Sequence, residues 1–181
     1  MVKVRLYLVR HGKTMFNTIG RAQGWSDTPL TAEGELGIHE LGIGLRESGL
    51  QFERAYSSDS GRTIQTMGII LEELRLQGKI PYRMDKRIRE WCFGSFDGAY
   101  DGDLFMGVIP RVFKVDHVHQ LSYAELAEGL VEVDTAGWAE GWEKLSGRIK
   151  EGFETIAKEM EEQGGGNALV VSHGMTIGTI V

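Results

Sequence analysis

Two short segments carry the residues with the most chemical potential: Arg10-His11-Gly12 near the start of the chain and Ser172-His173-Gly174 near its end. Each closes an apolar run, and each sets an imidazole before a glycine that can bend the backbone. A lone histidine at such a turn is ordinarily a satisfied structural side chain; two in the same setting weaken that reading. Metal ligation suits them poorly, because neither segment brings a second histidine or a carboxylate close by. The remaining chemistry is nucleophilic: a neutral imidazole is a competent covalent catalyst, and an imidazolium binds anions. Arg10 stands beside the first histidine, and Arg62 lies at an expected helix start after a second strand. Guanidinium forks match phosphate oxygens bidentately, and helix N-termini favour anions. Two arginines and a protonated histidine form the charge set that would hold a phosphoryl group during in-line attack. Either arginine alone would read as a surface ion pair.

The elements that position these groups are visible in the periodicity. Val2 to Val9 reads as a strand that halts at Arg10. A helix from Thr31 to about Gly49 follows, and it contains Gly34, Gly37, Gly42 and Gly44. Each interior glycine costs up to about 1 kcal/mol against alanine, so packing or close helix–sheet approach must require them. Phe52 to Ser57 is a second strand. Asp59 or Ser60 can cap a helix from Gly61 to Gln77, and Ile80 to Met84 reads as an edge strand because of Pro81. From Trp91 to Gln120 periodicity fades into an irregular insert or lid. Ser122 and Glu125 form a capping box, with Leu121 and Leu126 as its staple. A helix over Thr135 to Gln163 would align Trp138, Trp142, Leu145, Ile149, Ile156 and Met160, and Gly164 to Gly166 would stop it. Ala168 to Ser172 is apolar enough for a central strand covered on both faces. Strands alternating with helices predict an α/β fold, a three-layer αβα sandwich around a mostly parallel sheet. In such sheets ligands lie beyond the carboxyl ends of the strands, where both histidine segments fall.

Composition excludes several classes. With 181 residues, 41% of them hydrophobic, and a mean hydropathy of −0.20, the chain reads as one domain over 1–181. A single cysteine, Cys92, excludes a disulfide framework and a four-cysteine zinc site. No apolar run approaches a membrane span, and Lys3, Arg5 and Arg10 interrupt what would be a signal peptide, so a cytoplasmic location without membrane association is expected. Twenty Lys+Arg against 26 Asp+Glu, net −6, argue against a nucleic-acid partner. The 25 glycines are about twice the usual ~7%, but without a repeat they exclude collagen-like and low-complexity chains. Competing phosphatase motifs fail: Gly98 stands where a cysteine-dependent enzyme needs arginine after Cys92, and Asp101-Gly102-Asp103 follows no apolar strand and reads as a loop. Asp116, His117 and His119 read as a rim or loop rather than a metal cluster.

Leu8-Val9-Arg10-His11-Gly12-Lys13-Thr14 followed by Asn17 resembles the signature of the histidine phosphatase superfamily, in its phosphoglycerate-mutase-like branch. Gln23-Gly24, Asp27 to Thr31 with Gly34, Ser57-Ser58 with Arg62 and Thr66, Arg89-Glu90 with Phe93-Gly94 and Gly98, and Val170 to Gly174 match in the same order. The resemblance implies that His11 is the phosphorylated nucleophile. It implies that Arg10, Arg62 and His173 grip phosphoryl oxygens, with Asn17 adding a polar contact and Gln23, Gly24 and Gly174 also contacting substrate. Glu90 would protonate the leaving alcohol and then serve as base toward water. That role needs a carboxyl raised in pKa by burial among Trp91, Phe93 and Phe96.

Mutases resembling this family hold the substrate carboxylate with a lysine and an Arg-Arg pair in the insert; here Arg111 and Lys114 stand unpaired. Hydrolysis of a small phosphorylated metabolite is therefore expected, with no metal and no cofactor, by a monomer or homodimer. The alternatives are a cofactor-dependent phosphoglycerate mutase or a non-catalytic phosphate-binding module. The end at Val181, eight residues past His173 and partway into an expected helix, points to a C-terminus cut short or incompletely ordered.

Overall fold

A computed structural model describes residues 2–181. Strands β1 (Val4–Arg10), β2 (Arg54–Ser57), β3 (Tyr82–Met84) and β4 (Gly166–Ser172) form one parallel sheet in the order β1-β4-β2-β3. The last strand in sequence lies between the first two because its apolar run demands cover on both faces: Ala168, Leu169, Val170 and Val171 are all fully buried. The strand's two-residue alternation divides them between two cores. Ala168 and Val170 meet one set of helices, Leu169 and Val171 the other.

Helices α2 (Ala32–Glu47) and α3 (Gly61–Glu73) cover the Leu169 face with Ile38, Met67, Ile70 and Leu71. The short helix α1 (Met15–Thr18) precedes them. On the opposite face, α5 (Tyr123–Val133) and α6 (Trp142–Glu162) contribute Leu126, Leu130, Leu145, Ile149 and Ile156. Between β3 and those helices runs α4 (Ile109–Phe113), and α7 (Gly174–Ile180) follows β4. This is the expected three-layer αβα arrangement. No helix among the described residues is long and apolar enough to cross a membrane.

Thr31 caps α2 by accepting from the Gly34 N–H, and Ser122 and Glu125 form the expected box on α5. Two of the four α2 glycines explain themselves. A Cβ at Gly34 would overlap the Lys13 carbonyl, and one at Gly42 would lie 2.6 Å from the Glu73 Cβ of α3. Gly37 and Gly44 face open space.

Three elements differ from expectation. The helix predicted from Thr135 begins only at Trp142, because the Asp134 carboxylate collects the N–H groups of Ser95, Ala136, Trp138 and Ala139 at 2.6–2.8 Å and holds a turn. Trp138 is 68% exposed rather than on the apolar face. The helix predicted to Gln77 stops at Glu73, and Arg75 adopts a left-handed φ of 59°. The stretch read as irregular is largely helical: a π-helical segment, Gly102–Val108, runs into α4, and Asp101-Gly102-Asp103 opens it rather than looping. Its wider turn breaks the 3.6-residue period before α4 begins with the fully buried Ile109.

Candidate active site

Parallel pairing makes neighbours of the two histidines. Arg10 is in register with Ser172, and the His11 N–H donates to the Ser172 carbonyl at 3.1 Å. The next residue on each strand is therefore an imidazole at the carboxyl edge of the sheet. The rings lie edge to face with centroids 5.3 Å apart.

His11 Nδ1 lies 2.8 Å from the Gly12 carbonyl, so Nδ1 carries the proton and the Nε2 lone pair is free. Burial lowers the pKa of His11 to about 4, with the Arg62 and Arg10 charges adding and the Gly12 carbonyl opposing. At pH 7 it is neutral and nucleophilic. The turn is held by the Gly12 N–H donating to Thr66 Oγ1 at 3.0 Å, and a Cβ there would press to 2.8 Å on Ile38. His11 opens onto a cleft of about 360 Å³ with Arg10, Lys13, Asn17 and Asp101. Lys13 Nζ pairs with Glu33 at 2.8 Å. Arg10 has no side-chain partner among the described residues, and its guanidinium packs against Gly174, where a Cβ would make an ordinary contact 3.4 Å from its Nε. Asn17 Oδ1 accepts from the Thr14 N–H at 3.1 Å, which leaves the amide donors of Asn17 without a protein partner among the described residues.

His173 is organised differently. Its Nδ1 accepts from Arg62 Nη2 at 3.0 Å, and its Nε2–H donates to Ser58 Oγ at 2.7 Å. Burial and the Arg62 charge push its pKa well below the usual value. The protonated histidine of the expected charge set is therefore a neutral ring with both nitrogens engaged. Arg62 is itself fully buried, and its five donors all have acceptors. Nη1 meets the Ser26 carbonyl at 2.9 Å and Asp27 Oδ1 at 2.8 Å, while Nη2 adds the Gly24 carbonyl at 2.8 Å. Gln23, with its amide oxygen toward Arg62, accepts from Nε at 3.0 Å and donates to Thr28 and Thr14. Gln23 and Gly24, expected at the substrate, thus line the seat of Arg62. For Arg62 to reach a phosphoryl oxygen, one of these acceptors must be released.

Glu90 is buried at the N-terminus of α7, the helix that starts immediately after His173. Its carboxylate accepts from the N–H groups of Trp91 (3.0 Å), Met175 (3.2 Å) and Thr176 (3.0 Å). Burial raises its pKa, opposed by these donors and by Arg62. Glu90 is near enough to Arg62 for their charges to interact, but it does not line the cleft around His11. Its backbone is clamped: Arg148 donates to the carbonyls of Arg87 (2.8 Å), Arg89 (3.1 Å) and Glu90 (3.3 Å), and Glu140 orients Arg148 at 2.6 Å.

Sequence reasoning gave Ser58 and Asp27 only as positions of the resembling motif, without a role, and did not name Asp97. Ser58 holds His173, Asp27 holds Arg62, and Asp97 ties Gly24 and Ser26 to Phe93 at 2.9–3.1 Å. Nothing in spacing marks Arg148 or Glu140. Among the described residues no group of three or more His, Cys, Asp or Glu could hold a metal ion. Asp116, His117 and His119 line a separate hollow of about 320 Å³ with Phe105, Met106 and Val118.

Comparison with known proteins places the chain in a family and a fold. A family model described as histidine phosphatase superfamily (branch 1) matches residues 6–181. The crystal structure of phosphoglycerate mutase from Bacillus anthracis is 38% identical, with a TM-score of 0.92 over 99% of this chain and 79% of that one. A Salmonella choleraesuis protein named "Probable phosphoglycerate mutase GpmB" is 31% identical over 98% of this chain and 73% of its own length. A 2,3-bisphosphoglycerate-dependent phosphoglycerate mutase 2 from Bacteroides thetaiotaomicron is 33% identical over 52% of this chain, which corresponds to only 38% of that protein.

Proposed function

We propose, on the footing that the chain belongs to the histidine phosphatase superfamily, that it hydrolyses small phosphomonoesters through a phosphohistidine on His11. The observation that carries this reading is the free Nε2 lone pair of a neutral His11 beside the unpartnered Arg10 guanidinium. Arg10 and the Asn17 amide receive the phosphoryl oxygens. Nε2 attacks phosphorus while the bond to the ester oxygen breaks, and the leaving alkoxide takes a proton from Glu90, which must first turn from its seat on the Met175 and Thr176 N–H groups toward the cleft. Water then attacks the phosphohistidine, giving its proton to Glu90 and releasing inorganic phosphate. His173 supports this step as a neutral wall that keeps Arg62 in place.

A mutase reading draws support from the names of the relatives. Against it, neither Arg111 nor Lys114 lines the cleft at His11, so the cleft presents no second cation pair for a substrate carboxylate. The test is turnover of p-nitrophenyl phosphate in the presence of a chelator, with acid-labile, base-stable phosphate trapped on His11 by quenching. Vanadate-sensitive hydrolysis with that label is expected. No label, or conversion of 3-phosphoglycerate to its isomer faster than release of phosphate, would overturn the hydrolase reading.

A further inference from the structure

Asp101 occupies the wall of the same cleft as Arg10 and His11, and no residue motif accounts for it. Its position is fixed by a short ladder that joins residues 20–22 to 98–101. The Asp101 N–H donates to the Gly20 carbonyl at 2.9 Å, the Ala22 N–H to Ala99 at 2.8 Å and the Gly98 N–H to Ala22 at 2.8 Å. Arg21 and Tyr100 form an antiparallel bridge, with the Arg21 guanidinium 4.4 Å over the Tyr100 ring. The Asp101 carboxylate itself has neither a hydrogen-bond nor an ion-pair partner among the described residues. Partial burial raises its pKa, as expected of a carboxylate without a compensating donor.

We propose that Asp101 selects the leaving group, admitting esters of neutral polyhydroxy alcohols and rejecting those that carry a carboxylate; this rests on the hydrolase reading above. The cleft holds two cations and one unpaired anion. Arg10 is taken by the phosphoryl group, and Lys13 is neutralised by Glu33. A carboxylate on the leaving group would then meet Asp101 with no free cation to offset the repulsion in a partly desolvated space. A hydroxyl instead donates to the vacant lone pairs of Asp101 and needs no counter-charge.

Glycerol 3-phosphate and 3-phosphoglycerate make a matched pair, differing only by CH₂OH in place of carboxylate. The native chain should favour the glycerol ester by about tenfold or more in kcat/KM, and Asp101→Asn should shrink that preference to within about threefold. Asp101→Lys should reverse it, with far-ultraviolet circular dichroism confirming that each variant is folded. A native preference for 3-phosphoglycerate, or a ratio unmoved in both variants, would overturn the assignment. If neither ester nor p-nitrophenyl phosphate is turned over, the hydrolase reading falls by itself. Calorimetric affinities of the same two esters for the native chain and Asp101→Asn then decide Asp101 by the same ratio.

Discussion

His11 and His173 end neighbouring strands, precede glycines and sit 5.3 Å apart, yet their nitrogens have opposite fates. His11 gives one nitrogen to the adjacent Gly12 carbonyl and leaves the other bare, whereas His173 is held at both ends by Arg62 and Ser58. Burial keeps both neutral. The difference lies in reach: the partner of His11 is its own neighbour in sequence, while those of His173 lie more than a hundred residues away, Ser58 on the β2–α3 turn and Arg62 in the first turn of α3. The same local motif can therefore make a nucleophile or a support, depending on what the fold places opposite it.

The sharpest way to test that contrast is to delete the free imidazole. His11→Ala should lower kcat by about 10⁴-fold or more, as loss of a nucleophile does, with the trapped phosphate label disappearing. A residual label on His173 in that variant would exchange the two roles.

Next in size is Glu90→Gln, which should cost about 10²–10⁴-fold in turnover of esters with poor leaving groups. Its pH signature identifies the role. Activity requires His11 neutral, so it rises with pH through about 4. It also requires Glu90 protonated, so it falls as pH passes the raised Glu90 pKa. The variant should lose the falling limb and keep the rising one.

The smallest effect probes the support. Ser58→Ala strands the buried Nε2–H of His173 and should cost about 1–3 kcal/mol of stability. By size scaling this is roughly 2–4 °C of Tm per kcal/mol, with turnover reduced less than tenfold. The unfolded chain protonates its histidines near pH 6.5 while both folded rings stay neutral. The unfolded state then binds more protons, so stability falls as pH drops below about 6.5, and the His11 share continues to be lost down to about 4. Because the raised pKa of Glu90 works in the opposite direction, the scans are made on Glu90→Gln: its Tm should be lower at pH 5.5 than at pH 7.5, and equal values would mean that the rings titrate freely in the folded chain.

The strands, the α5 box and the placement of both histidines at one sheet edge could be read before any coordinates, since each depends on neighbours within a few residues. Three features could not. Asp134 suppresses the start of α6 with a side chain that bonds partly across to Ser95, which propensity does not register. The π-helical segment buries Leu104 and passes directly into α4 at Ile109, so no 3.6-residue period marks it. Arg62, whose type and position suggested an anion grip, has its five donors satisfied by Gln23, Gly24, Ser26, Asp27 and His173, four of them on a loop far from it in sequence.

Residue order alone established the parallel α/β sandwich and which side chains crowd the carboxyl edge of its sheet, because two-residue and helical periods are local and a run such as Ala168 to Val171 requires cover on both faces. Tertiary contact alone decided which imidazole keeps a lone pair, where Arg62 is seated and that Asp101 faces the cleft. The physical reason is that hydrogen-bond partners and desolvation are set by whatever comes within about 3 Å in space, which chain spacing does not encode.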